Sequence, residues 1–316
     1  MTANRRKIRT LLGFLLFSLL VGGCGDPASE ETSAGAGAAQ PQGTKVRMTI
    51  GTQAFPEALV LGEVWQQALA ANAYAVVLKK GIGPAGDLDK ALQDRTIDGH
   101  VAYTGTVLSV VAGQDVSGLD PQETYRRVKE FYAGRAMAMS AMTPFENVDA
   151  IATTETFAQD NGLRAIGDLG RLPTFTLGAR PEFENLTLGL GGLTETYALT
   201  NATFVPTTLG EQYTALDTGQ VDAANVFSTD AQLAGGDYQV LEDPEKLFGS
   251  QNAVLVVDEG KLERMGRENF LRVVDEVSSR LTPDAILEMN AAVSGGQSEV
   301  EVARRFLTDR GLLRGS

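Results

Sequence analysis

The sequence predicts an α/β chain of two lobes, each a mostly parallel sheet flanked by helices, with a two-strand hinge between them. Three observations carry that prediction. Ala91-Leu92, Ile97-Asp98 and Tyr103-Thr104-Gly105-Thr106 return as Ala215-Leu216, Val221-Asp222 and Phe227-Ser228-Thr229-Asp230, every matched residue 124 positions on. Upstream, Thr49-Ile50-Gly51-Thr52-Gln53 is echoed by Thr176-Leu177-Gly178-Ala179-Arg180. A period this long is far beyond the ~20–50 residues of a solenoid repeat, so it reads as two lobes built on one plan. Within each lobe, strand-like and helix-like patterns alternate, the order that gives a parallel sheet.

In chain order, Arg5, Arg6, Lys7 and Arg9 precede an apolar run from Leu11 to Val21, too short for a stable membrane span. The run stops at Val21-Gly22-Gly23-Cys24, small residues before the chain's only cysteine. That pattern resembles the lipobox of bacterial lipoproteins, which implies cleavage before Cys24 and a lipid on its sulfur. Residues 1–23 are thus expected to be a signal peptide, and 24–43, rich in Ala, Gly, Ser, Glu and Gln, a flexible tether. With no second cysteine the body has no internal disulfide and relies on its core.

Lys45 to Ile50 alternates apolar and polar residues and predicts a strand. Pro56-Glu57 suits the first turn of a helix that runs through Leu61, Val64, Trp65, Ala68 and Leu69. A strand over Tyr74 to Leu78, a short helix over Asp87 to Gln93 and a strand over Ile97 to Ala102 follow, and Thr104 opens the next helix. Asp120-Pro121 caps another helix, and Val148 to Thr153 leads as a strand into the second lobe. There the order repeats, with strands at Thr174 to Gly178, Ala202 to Val205 and Val221 to Val226. The apolar run Asn252 to Val257 crosses back, and helices over Phe270 to Leu281, Pro283 to Asn290 and Val300 to Asp309 finish the chain. The expected division is 44–147 plus 253–316 for lobe one and 148–252 for lobe two.

A formal net charge of −13 with no basic stripe argues against a nucleic-acid partner. The catalytic inventory is thin: His100 is the only histidine, and no His or Cys set has metal-ligand spacing. A hydrolase would need His100 or a pair of carboxylates in the cleft. Asp98 and Asp222, paired by the repeat, lie before their strands, away from the C-terminal strand ends where ligands bind, and read as turn or cap residues. Gly81-Ile82-Gly83-Pro84-Ala85-Gly86 lacks the Lys-Ser/Thr ending of a phosphate loop. No enzyme, no cofactor and no metal are expected.

A binding constellation remains. Thr52, Gln53 and Phe55 follow the first strand; Tyr103, Thr104 and Thr106 follow the third. Arg180 and Glu182, and then Phe227, Ser228, Thr229 and Asp230, hold the matching positions of lobe two. Helix N-termini accept a carboxylate, and aromatic faces attract an alkylammonium by up to ~2 kcal/mol when desolvated, so the cleft suits a small zwitterion. His100 is expected to line or flank it.

At these motifs the chain resembles the substrate-binding proteins of glycine betaine/choline/carnitine ABC importers. The likeness rests on Ile50-Gly51-Thr52-Gln53-Ala54-Phe55-Pro56-Glu57, Tyr103-Thr104-Gly105-Thr106, Gly178-Ala179-Arg180-Pro181-Glu182-Phe183 and Phe227-Ser228-Thr229-Asp230. It runs from about Lys45 to Leu313 and implies a type II periplasmic-binding fold outside the cytoplasm. The implied partners are a small solute, an ABC permease with its ATPase, and a membrane held through Cys24, with the protein itself a monomer. Relatives of this kind hold a quaternary ammonium in a box of tyrosines. Here Tyr103 matches, Phe227 stands where many have tyrosine, and Asp149 and Gln251 align with two others; His100 and Ala102 replace larger residues. Asp149 is expected to pair with a cation, and Gln251 and Asn252 to hydrogen-bond a more polar ligand. The alternative ligand is a non-quaternary molecule such as an amino-acid derivative, another amine or an aromatic compound. A sensor or assembly lipoprotein that uses its lobes to touch a partner is the competing class.

Overall fold

The protein is described here by a computed structural model covering residues 46–208 and 210–313. The expected signal peptide, Cys24 and the tether lie outside the described residues. Lobe one opens with β1 (Arg47–Gly51), α1 (Pro56–Ala71), β2 (Ala75–Lys79), α2 (Ala85–Gln93) and β3 (Gly99–Tyr103). One helical turn, α3 (Thr104–Thr106), passes into a π-helical turn over Val107–Val111, and α4 (Pro121–Ala133) and β4 (Met137–Met139) follow. The second sheet is built from β5 (Asp149–Thr154), α5 (Glu155–Asn161), β6 (Phe175–Ala179), α6 (Leu190–Tyr197), β7 (Ala202–Pro206), α7 (Gln212–Asp217), β8 (Ala223–Phe227) and β9 (Tyr238–Val240). The chain then returns through β10 (Ala253–Asp258) to α8 (Glu259–Met265), α9 (Arg267–Ser278), α10 (Pro283–Ser294) and α11 (Glu299–Asp309).

Both sheets have five strands and one order, β2-β1-β3-β10-β4 and β7-β6-β8-β5-β9. In each, three strands pair parallel, and the strand that has just crossed from the other lobe, β10 or β5, runs antiparallel to both neighbours. Four of five strands therefore share a direction, so "mostly parallel" holds for direction, while the sheets are mixed in their pairing. The repeat is kept to the residue: Ile50 pairs with Gly99 as Leu177 pairs with Ala223, and Gly51 with His100 as Gly178 with Ala224.

The continuous apolar run of β10 has a direct cause. Ala253, Leu255 and Val257 face the core under α1, α9, α10 and α11, while Val254 and Val256 face the core under α2 and α4. A strand covered on both faces has no polar side to show. Gly51 and Gly178 occupy equivalent tight places. A Cβ on Gly51 would lie 2.7 Å from Ile82, and one on Gly178 would lie 3.0 Å from Val221.

Asp98 and Asp222 also do one job twice. The Thr49 N–H donates to Asp98 Oδ2 at 2.8 Å, and the Thr176 N–H to Asp222 Oδ2 at 2.7 Å. Each aspartate returns its own N–H to the carbonyl of the same threonine. They clip the bottoms of the sheets. The two crossing segments lie side by side: Glu146 and Asn252 form an antiparallel bridge, and the Asn147 N–H donates to the Gln251 carbonyl at 3.0 Å.

Candidate functional site

A cavity of ≈ 550 Å³ opens between the tops of the two sheets. Lobe one contributes Gln53, Phe55, Glu57, Tyr103, Thr106 and Asn290; lobe two contributes Arg180, Glu182, Gln212, Tyr213, Phe227, Thr229 and Asp230. Asn147, Asp149 and Gln251 enter from the crossing segments and the start of β5.

The lobe-one wall is made by the end of β3 and the start of α1. Tyr103, the last residue of β3, and Phe55, the N-cap of α1, stand with ring centroids 5.7 Å apart and tilted by 36°. The Tyr103 hydroxyl donates to Glu57 Oε1 at 2.8 Å. Asn147 Nδ2 donates to the same oxygen at 2.8 Å, and Asn290 Nδ2 donates to Oε2 at 2.8 Å. Burial pushes the Glu57 carboxyl above its ordinary pKa, and hydrogen bonds from Thr229, Asn290, Asn147 and Tyr103 draw it back down. Asn290 also donates to the Thr229 carbonyl at 2.8 Å, so this cluster spans both lobes.

The lobe-two wall is built around Arg180, just past the end of β6. Its Nη1 and Nη2 donate to the two carboxylate oxygens of Asp149 at 2.7 and 3.2 Å, a bidentate pair. Nη1 also donates to Asn225 Oδ1. The guanidinium lies 5.4 Å from the centroid of Phe227 and 5.4 Å from that of Phe183. Asp230 accepts from the Tyr213 hydroxyl at 2.9 Å and from the Phe227 N–H at 3.0 Å, and burial raises its pKa. Among the described residues, Arg180 is the one basic side chain lining the cavity, against four acidic ones, Glu57, Asp149, Glu182 and Asp230.

Of the residues the sequence points to, Gln53, Phe55, Tyr103, Thr106, Asp149, Arg180, Glu182, Phe227, Thr229, Asp230 and Gln251 line this cavity. Five others do not. Asn252 is buried, its Nδ2 donating to the Thr143 and Phe145 carbonyls at 3.0 and 3.2 Å. His100 is buried with Nδ1 3.1 Å from the Val101 carbonyl and Nε2 3.5 Å from the Tyr132 hydroxyl. Side chains alternate along a strand, so His100 and Tyr103, three residues apart, face opposite sides of the sheet. Thr52 is buried beneath α1, its Cγ2 filling the space that Gly62 leaves. Thr104 is buried and tied by its N–H to the Asn252 carbonyl. Ser228 is spent on the crossing: its hydroxyl donates to the Glu146 carbonyl and accepts from the Val148 N–H, both at 3.0 Å. Asp149 does pair with a cation, but that cation is the protein's own Arg180. Gln251 directs Oε1 to the Thr106 N–H at 2.9 Å.

Several contributors escape the sequence reading, among them Gln212 and Tyr213 of α7 as well as Glu57, Asn147 and Asn290. Glu57 reads as an ordinary first-turn acid, and only its place two residues after Phe55 hints at the cleft. Asn290 lies 233 positions from Glu57, and Asn147 lies 90 away; no local pattern joins them.

Comparison with known proteins shows the family and the fold. The family described as "Substrate binding domain of ABC-type glycine betaine transport system" matches residues 46–309. Over 280 residues the chain is 30% identical to a glycine-betaine-binding protein of Pseudomonas aeruginosa, covering 84% of this chain and 88% of that one. It is 22% identical over 272 residues to an ergothioneine transport permease/ergothioneine binding protein of Helicobacter pylori, covering 84% of this chain and 48% of that one. A crystal structure of a glycine betaine/carnitine/choline ABC transporter protein superposes with a TM-score of 0.75 at 21% identity, over 84% of this chain and 100% of the other, which shows the shared two-lobed type II periplasmic-binding fold.

Proposed function

The chain belongs to the family of substrate-binding domains of ABC-type glycine betaine transport systems, and on that premise we propose that its cleft captures a small zwitterionic or cationic solute of the glycine betaine kind and delivers it to the permease of an ABC importer. The family works outside the cytoplasm and its members bind solutes rather than transform them. We extend this to a lipid anchor on Cys24 after removal of residues 1–23, with 24–43 as the tether. Among the described residues no helix is long and apolar enough to cross a membrane.

The observation that carries the reading is the opposite character of the two walls. Phe55 and Tyr103 stand before a buried carboxylate on one side, and Phe227 stands beneath a guanidinium on the other. A zwitterion with its ammonium toward lobe one meets the Glu57 carboxylate there, and its carboxylate meets the Arg180 guanidinium, which Asp149 also engages. The relatives support the ligand class by name, one for glycine betaine and one for ergothioneine.

A second reading keeps the fold and changes the ligand to a non-quaternary amine, amino-acid derivative or aromatic compound. It is favoured by Arg180 already lying over Phe227, which leaves fewer free aromatic faces than a full box needs. Calorimetric titration of the purified chain with glycine betaine tests the choice. Saturable one-to-one binding is the expected result. No heat and no thermal shift at millimolar ligand would sink the betaine reading and turn the search to the second class.

A further inference from the structure

We propose that Glu57 is the fixed anion of this cleft, the residue that makes its lobe-one wall select a cation over a neutral molecule of the same shape. The proposal rests on the reading that a betaine-like or choline-like head binds between the lobes, and it assigns the source of the selectivity.

Glu57 is 4% exposed yet contributes to the cavity wall. Its carboxylate accepts from the Tyr103 hydroxyl and Asn147 at Oε1 and from Asn290 at Oε2, and the Thr229 side chain is a further hydrogen-bond partner. A carboxylate is an acceptor only, so this set of donors fits the ionised form. The amides of Asn147 and Asn290 turn their nitrogens to Glu57 and leave their own buried oxygens without a partner among the described residues. Leaving such acceptors unmade is costly, so the cluster is organised around satisfying the carboxylate. Glu57 also sits in the first turn of the 16-residue α1, where the helix dipole favours negative charge.

What the cluster lacks is a cation. Asp149 has Arg180, but among the described residues no lysine or arginine comes within ion-pair distance of Glu57. A buried anion with hydrogen bonds and no counter-charge is an incomplete arrangement, and a ligand ammonium completes it. A quaternary ammonium has no N–H to give, so it gains from the charge and from the Tyr103 and Phe55 faces. Tyr103, by donating to Glu57, brings the electron-rich ring and the anion to bear on one place.

The experiment titrates the full chain with choline and with dimethylbutanol, its neutral isostere with carbon in place of nitrogen. The wild type is expected to prefer choline, and Glu57→Gln to lower that preference by about tenfold or more while binding of the neutral isostere stays within about threefold. A variant that loses both ligands equally, or keeps the wild-type preference, overturns the proposal. A variant-free readout stands beside it: in the wild type the Glu57 carboxyl carbon resonance should titrate at lower pH with choline bound and not with dimethylbutanol. Failure to move overturns the proposal even if Glu57→Gln does not fold. A wild type that binds neither choline nor glycine betaine overturns the betaine reading along with this one. Binding with an unchanged preference in Glu57→Gln overturns only the role of Glu57.

Discussion

The two lobes are alike at the bottom and unlike at the top. At the bottoms of their sheets Asp98 and Asp222 hold Thr49 and Thr176 through the same hydrogen bonds. At the tops, Tyr103 and Phe227 end equivalent strands, yet Tyr103 gives its hydroxyl to a buried carboxylate and Phe227 lies under a guanidinium. One plan supplies two scaffolds, and the side chains at the strand ends give the two walls different polar groups, a buried carboxylate without an ion-pair partner among the described residues in one and the Arg180–Asp149 pair in the other. The difference teaches that the repeat specifies the fold, while departures from it set what the two walls of the cleft offer a ligand.

The sharpest way to break that comparison is to remove the basic side chain from lobe two. Arg180→Ala leaves Asp149 and Asn225 without their partner and takes away the cleft's basic side chain. Truncating one member of a buried, hydrogen-bonded charge pair costs roughly 2–5 kcal/mol. Glycine betaine affinity is expected to fall by more than about thirtyfold, and choline affinity, with no carboxylate to lose, by much less. Calorimetry with both ligands reads the difference. Equal losses would mean that Arg180 only holds the wall together.

The next test sharpens the likeness at the bottom. Asp98→Ala and Asp222→Ala each strand a backbone N–H that the aspartate now accepts, at a cost of about 1–3 kcal/mol. The two losses are expected to match in urea unfolding and to leave ligand affinity unchanged. A neutral result for one of the pair would show that the symmetry of geometry is not a symmetry of energy. Asp98 has an additional ion pair with Lys261 at 3.0 Å, and Asp222 an additional hydrogen bond from the Thr176 hydroxyl at 2.7 Å, so neither lobe is favoured in advance.

The two-lobed fold is legible because its signals are local. The repeat puts Tyr103 and Phe227 at equivalent strand ends, and the continuous apolar run of β10 announces a strand covered on both faces. The edge strands Met137–Met139 and Tyr238–Val240 are too short for any period to appear. The Glu57–Asn147–Asn290 cluster is assembled from three distant segments, so no spacing reveals it. His100 is different: the alternation of β3 already puts it on the face opposite Tyr103, a signal that proximity to the motif obscures. Asp149 reads as a cation partner, and its partner, Arg180, stands in a quoted motif, but only the fold brings the two together.

His100 marks another contrast, between a titratable group in the core and those in the cleft. Burial lowers its pKa below the ordinary 6.5, so the folded state holds the ring neutral. Its stabilising contribution is whole above about 6.5, the unfolded value, and is lost as pH falls below it toward the depressed folded value. The unfolded chain takes up the proton first. The expected slope is at most about 1.4 kcal/mol per pH unit. Tyr132, Asp89 and Arg135 are the charged and titratable groups around the ring. Glu57 and Asp230, whose pKa values burial raises, act with the opposite sign. The difference in urea stability between wild type and His100→Gln across this range therefore isolates the imidazole; a difference that does not change with pH would place the charge elsewhere.

The smallest expected effect bears on the aromatic wall itself. Phe227→Tyr adds the hydroxyl that the resemblance implies at this position. If Phe227 serves as a platform for Arg180, whose guanidinium lies 5.4 Å from its centroid, the added hydroxyl changes little that the ligand feels. Glycine betaine affinity should then move by less than about threefold, under ~1 kcal/mol. In lobe one the corresponding hydroxyl has work to do, because it donates to Glu57. Should Phe227→Tyr instead tighten choline by about tenfold or more, the cation must sit against lobe two, and the placement of the ammonium against lobe one would have to be reversed.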